Sequence, residues 1–187
     1  MKRNIWTITL LSAGILLAGC ASVASKDIAR QVLATNDGWA AAGGVGVTGG
    51  SAATDDNVFV VSTRKELVEA VTRAGDAPKI IKIKGTINLS TDDSGKELFE
   101  NDYVVAPYKF DDYVKAYAPA TWNQKLVKGR PVRELSGELE AAREASSKAQ
   151  GRVVRIHVPS NTTLIGLGSD ARIIKGGLVI GNKKGSD

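Results

Sequence analysis

Between residues 153 and 180 the apolar residues come in pieces too short to make useful hairpins. Val154, Ile156 and Val158 alternate with Val153, Arg155 and His157, and then come Thr163-Leu164-Ile165, Arg172-Ile173-Ile174 and Leu178-Val179-Ile180. Corners at Pro159-Ser160-Asn161, Gly166-Leu167-Gly168-Ser169-Asp170 and Gly176-Gly177 separate them. A strand this short buries one or two side chains before the chain turns away, so it gains stability only by stacking on an equivalent strand. The coil that satisfies this is a parallel β-helix, whose circuits hydrogen-bond to one another and bury an inward ladder of Ile, Val and Leu. Ile156 to Val179 is one plausible circuit, and residues 58–89 supply material for another. Solenoids need about three repeats and a terminal cap, because a single circuit cannot bury its own apolar face. The expectation is therefore a mainly β chain of few circuits, open at its C-terminal end.

The preceding segments fit that scheme. Val58-Phe59-Val60-Val61 reads as a strand, and Thr63-Arg64-Lys65-Glu66 is a capping box, with the Thr63 hydroxyl capping the helix and Glu66 reaching back. Leu67, Val68 and Val71 with Ala70 and Ala74 give the helix one apolar stripe, ended by Gly75 and Pro78. Lys79-Ile80-Ile81-Lys82-Ile83-Lys84, the bend Gly85-Thr86, and Ile87 with Leu89 read as strand, corner, strand. Residues 90–150 differ in character. They carry Tyr103, Tyr108, Tyr113 and Tyr117, the acidic pairs Asp92-Asp93 and Asp111-Asp112, and a helix-like stretch over 136–150, which together read as a partly helical insertion.

At the other end, Met1-Lys2-Arg3-Asn4 is followed by an apolar run over residues 5–17 that closes on Leu17-Ala18-Gly19-Cys20. About thirteen residues at about 1.5 Å each reach roughly 20 Å, short of the roughly 30 Å hydrocarbon core, so an export signal fits better than a permanent span. Leu-Ala-Gly-Cys resembles the lipobox of bacterial lipoproteins, which makes Cys20 the expected lipidation site and 1–19 the signal peptide. Cleavage after Ala24, where Ser22-Val23-Ala24 gives the small-x-small pattern of an ordinary secretory signal, is the alternative. Either route takes the protein out of the cytoplasm, to a bacterial membrane surface, the outer membrane foremost, or into the medium. Acyl chains at roughly 0.8 kcal/mol per buried methylene would hold it there without a spanning helix. The domain plan is a signal at 1–19, a polar leader at 20–36, the start of the coil with one helix at 37–89, the insertion at 90–150 and a further circuit at 151–187.

Composition narrows the partners. With 43% hydrophobic and 24% charged residues the bulk is globular, and one cysteine excludes a disulfide scaffold. The net charge of +5 comes from Lys and Arg scattered along the chain without a basic run, so nucleic acid is not an expected partner.

Several runs resemble the opening half of bacterial pectate lyases of polysaccharide lyase family 1. They are Trp39-Ala40 followed by Gly43-Gly44 and Thr48-Gly49-Gly50, the Lys79 to Ile87 run, and Val158-Pro159-Ser160-Asn161-Thr162-Thr163-Leu164-Ile165-Gly166-Leu167-Gly168. In the insertion, Thr121-Trp122-Asn123 and the Ser136 to Gln150 run are similar to a segment of some members, although Ala118 stands where the family often has Asp. The resemblance implies a right-handed parallel β-helix, exported, that cleaves polygalacturonate or pectin by calcium-assisted β-elimination. Ca²⁺ acidifies the sugar C5 proton through the carboxylate, and an arginine removes it. In the family those groups lie on later circuits. None of Trp6, Trp39 or Trp122 is followed by the Ile-Asp-His that marks the family's catalytic half. No catalytic, cofactor-binding or metal residue is therefore carried onto this chain, no calcium is expected to bind it alone, and the isolated chain is expected to be inactive. A second-half chain completing the coil in trans is one implied partner. The alternative reading is a non-catalytic, surface-anchored pectin-binding or structural module.

The remaining candidates have plain structural readings. His157, the only histidine, alternates onto the face opposite Ile156 and Val158 and reads as solvated. Gly44, Gly46 and Gly49 spell a dinucleotide fingerprint, but an alanine run precedes them where a strand is required, so close backbone packing is expected instead. The acidic pairs 55–56, 92–93 and 111–112 match no calcium-loop spacing. The tyrosines with Trp122 would either pack the insertion or stack on sugar rings. Asn161 reads as a corner asparagine pairing with backbone.

Overall fold

The computed structural model describes residues 27–44, 46–119, 125–127, 130–132 and 137–180, excepting the side chains of 125–127 and 130–132. The segment expected to be a signal, Cys20 and Trp122 lie outside the described residues. The elements are β1 (Val58–Val61), α1 (Arg64–Thr72), β2 (Lys79–Asn88), α2 (Phe110–Ala116), β3 (Lys125–Val127), β4 (Arg130–Val132), α3 (Glu138–Val154), β5 (Arg155–Val158), β6 (Thr162–Ile174) and β7 (Gly177–Ile180).

Stacking dominates. β1, β2 and β6 form one parallel sheet in that order, with Phe59 opposite Ile81, Ile81 opposite Leu164 and Ile87 opposite Ile173. β5 and β7 form a second parallel pair, with Ile156 opposite Leu178 and Val158 opposite Ile180. Like side chains thus lie above one another and face a common core of Val61, Ile81, Ile83, Ile87, Leu89 and Ile156. α1 adds Leu67, Ala70 and Val71 to that core and packs against β1, β2 and β5, supplying the cap a solenoid needs. Its capping box is complete: the Thr63 hydroxyl accepts from the Glu66 N–H, and the Glu66 carboxylate accepts from the N–H groups of Ser62 and Thr63. Those bonds hold the Glu66 carboxyl below its ordinary range.

Expected boundaries shift in three places. The corners at Gly85 and Gly166–Asp170 do not end their strands: β2 and β6 each run on, because the ladder resumes with Thr86 opposite Arg172 after the pairing of Lys84 with Leu167. Gly85 and Gly168 take left-handed angles there, φ +67 and +84, which spares a Cβ the usual clash. Secondly, Val153 and Val154 end α3 instead of beginning a strand. The Val153 carbonyl accepts from Arg64 Nε at 3.1 Å, and the Arg155 N–H closes the helix onto the Gly151 carbonyl. Thirdly, the polar leader expected up to residue 36 is joined to the coil where it is described: it holds a 3-10 turn, Ile28–Arg30, after which Leu33 pairs with Val47.

Lys79 has the least expected environment. Its backbone parity matches Ile81 and Ile83, so it points inward, and it is 0% exposed. The ammonium donates to the Val71 carbonyl at 3.2 Å and to the Gly75 carbonyl, so it satisfies acceptors left over at the C-terminus of α1. Burial lowers its pKa, partly countered by Asp76. The opposite face of β2 is covered too, since Ile80 packs with Ala29 and Ala53.

Candidate functional site

The insertion folds as α2, the β3–β4 hairpin and α3, and a cavity of about 1070 Å³ opens beside α2 and α3. Its wall carries Lys109, Lys115 and Arg143 against Glu100, Asp111 and Asp112. The positive member nearest the core is already committed. Arg143 grips Glu140 through Nε, at 3.0 and 2.9 Å, and through a terminal nitrogen at 2.6 Å, while Tyr113 donates its hydroxyl to the same carboxylate at 3.2 Å. Glu140 is buried, and Arg143 holds its carboxyl below the ordinary range despite that burial. Burial, then the Glu140 charge, pushes the Tyr113 phenol up. A lining so balanced offers a polyanionic sugar no net attraction. The cluster locks α2 to α3.

The tyrosines do packing work. The rings of Tyr108, Tyr113 and Tyr117 lean on one another, with centroids 5.8 and 4.6 Å apart. Tyr103 is buried and lies 2.8 Å from Ser90 Oγ; because that hydroxyl already donates to the Leu98 carbonyl, Tyr103 is the donor. The insertion is thereby tied to the strand segment it leaves.

Other residues singled out from sequence stay apart. His157 sits exposed on β5. Asp55 pairs with Arg30 at 3.5 Å, Asp92 accepts from the backbone of Ser94 and Lys96, and Asp93 pairs with Arg64 at 2.8 Å. Asp111 and Asp112 lie in the first turn of α2. Among the described residues no three His, Cys, Asp or Glu side chains converge to hold a metal ion. This donor set does not fit the calcium that the family resemblance implies, and no chemical step is derived through it. Asn161 takes φ +57 and donates from Nδ2 to the Asp76 carbonyl at 2.9 Å, fixing the corner before β6.

The glycine run closes the N-terminal segment onto the sheet. The Gly50 N–H donates to Thr163 Oγ1 at 2.8 Å, and its Cα lies so near the Lys79 carbonyl that a Cβ would stand 1.9 Å from that oxygen. Such contact between backbones is the role expected for this run, and it is carried by Gly50, with Gly49 close against the Thr163 hydroxyl; Gly43 and Gly44 have open space around them.

The decisive feature is how burial changes from rung to rung. Ile81 and Ile87 on β2 are sealed, whereas their partners Leu164 and Ile173 on β6 are partly exposed. On the second sheet Val158 is 8% exposed and its partner Ile180 is 84% exposed. Among the described residues nothing covers the side of β6 and β7 away from the cap. A family model described as pectate lyase matches residues 5–105, more than half of the chain. The chain belongs to the pectate lyase family. It is 40% identical over 179 residues to the pectate lyase of Bacillus subtilis (strain 168), an alignment covering 95% of this chain and 40% of that one. Two solved structures superpose with TM-scores of 0.74 and 0.73, each at 43% identity over 83% of this chain and 37% of theirs. One is a polygalacturonate lyase fused to a self-assembling amphipathic peptide, the other a pectate lyase bound to a hexasaccharide. The chain spans about two fifths of its curated Bacillus relative, and its stacked parallel strands with a helical insertion are an incomplete parallel β-helix.

Proposed function

We propose that these residues are the leading rungs of an exported pectate lyase and serve it as scaffold: they nucleate the stack on which polygalacturonate is cleaved by calcium-assisted β-elimination. The burial gradient from β2 to β6 is the observation that carries this reading, because a finished end would be sealed on both sides. The balanced charges of the insertion cavity and the scattered carboxylates also speak against chemistry within the described residues.

The test is an assay of the purified 187-residue chain with polygalacturonate and Ca²⁺, following the absorbance of unsaturated uronides. No turnover is expected from this chain alone. Turnover would contradict the scaffold role, and tight binding of oligogalacturonates without turnover would favour a pectin-binding module instead. For localisation, the reading is lipid attachment at Cys20 on a bacterial membrane. Cys20→Ser is expected to move the protein from the membrane fraction to the soluble fraction; a wild-type chain already soluble after export would refute the anchor and favour secretion.

A further inference from the structure

The segment that precedes β1 covers the sheet at its two ends and leaves its middle exposed. The turn Ile28–Arg30 packs on β6, and Ala29 and Ala53 bury the outward side chains of all three strands, Val58, Ile80 and Ile165. Arg30 pins this layer by donating to the carbonyls of Ser51 at 3.1 Å and Ala53 at 2.6 Å, and Gly50 pins it to Thr163 of β6, the outermost rung. At and between those anchors the same layer turns apolar side chains to solvent. Ile28 is 64% exposed, Val32 53%, and Trp39, on a loop closed by the pairing of Leu33 with Val47, is 95% exposed. No charged residue occurs from Gly38 to Gly50. Three exposed apolar side chains on one uncharged or weakly charged segment, a tryptophan among them, are the composition an interaction surface would have.

We propose that residues 27–50 are a strap whose free half covers the outer face of the parallel strand that follows β6, with Ile28, Val32 and Trp39 packing on that strand's outward apolar side chains. Continuity selects this occupant. The anchored half already makes this contact with Val58, Ile80 and Ile165, and the next rung of a parallel stack lies about 4.8 Å further along, within reach of the same layer. The inference rests on the leading-rung reading above and deepens it by naming a seam that joins the N-terminal segment to later circuits.

The experiment uses the full chain with Trp6→Phe and Trp122→Phe, and with 5-hydroxytryptophan at position 39 so that it can be excited apart from a partner's tryptophans. It is refolded with a polypeptide comprising the part of the Bacillus subtilis pectate lyase C-terminal to the matched region. A complex is expected in which acrylamide quenching of residue 39 falls at least fivefold and Trp39→Ser weakens association at least tenfold. Because Trp39 touches little in the free chain, that variant is expected to fold as well as its parent. A complex with residue 39 as quenchable as in the free chain would overturn the strap alone. Absence of any complex would overturn both the strap and the leading-rung reading. Shielding of residue 39 by phosphatidylglycerol vesicles or oligogalacturonate, without shielding in the complex, would also overturn the strap and assign the loop to that ligand.

Discussion

Gly50→Ala is expected to destabilise the chain by about 3 kcal/mol or more, lowering the melting temperature by roughly 6–12 °C. The added methyl would stand 1.9 Å from the Lys79 carbonyl oxygen, 2.6 Å from its carbon and 3.1 Å from the Thr163 nitrogen. All three obstacles are backbone, in the paired strands β2 and β6, so no rotamer change relieves them. Either the 27–53 layer lifts, losing the bond from Gly50 to Thr163 and uncovering Ile80, or the first residues of β2 move and pull Lys79 from its carbonyls. Gly43→Ala is the control for the substitution itself. Its Cβ would meet nothing within 4 Å, although its φ of +86 adds some strain, so a loss of about 1 kcal/mol is expected. Thermal or urea melts of the two variants decide the matter; equal losses would refute the close contact.

The second large effect lies in the ladder. Ile87→Ala is expected to cost about 3–4 kcal/mol, in the range for a fully buried isoleucine. Ile173→Ala, the same substitution one rung outward, is expected to cost less by at least about 1.5 kcal/mol, and Ile180→Ala less than about 0.5 kcal/mol. Ile87 and Ile173 are register partners and line the same core, so the pair reads the difference in burial between β2 and β6. Equal losses in urea unfolding would mean that β6 is as enclosed as β2.

Where a structural decision is local, the residues announce it. Thr63 and Glu66 carry the whole N-terminal cap between them, and α1 follows. Asn161 and Gly168 mark corners by the left-handed angles they accept. The stacked coil itself is legible because pieces such as Leu178-Val179-Ile180 have no stable fate but stacking. Decisions made by distant partners are not legible in the same way. Lys79 is inward by parity, yet nothing nearby in sequence reveals that the end of α1 leaves carbonyls for its ammonium. Val153 and Val154 alternate well enough with Ile156 to read as strand; the Arg64 side chain, 89 residues away, holds that backbone at the end of a helix. Glu140 looks like one more charge on an exposed helix until Tyr113 and Arg143 enclose it, the spacing of three between Glu140 and Arg143 being its one sequence signal. Ile80 points away from the core and is nonetheless sealed, because the 27–53 layer returns over it.

Of the residues singled out for chemistry, alternation alone placed His157 on the outward face of β5. Asp92 accepts from the neighbouring Ser94 backbone, a local turn, whereas the pairing of Asp93 with Arg64 is made by a partner distant in sequence and was not legible. The tyrosines left packing and sugar stacking open, and three of them turn to each other while Tyr103 turns to Ser90.

Amide hydrogen exchange along β2 and β6 tests the open end most directly. Because β2 is paired with β1 and with β6 over Ile80–Ile83, its amides should be protected throughout that stretch. Where β6 is paired with β2, over 162–167 and 172–174, every second amide should exchange orders of magnitude faster, since those N–H groups point away from β2, and the fast set should become protected once the remaining circuits of the Bacillus relative are bound. Uniform, β2-like protection of β6 in the isolated chain would contradict the leading-rung account.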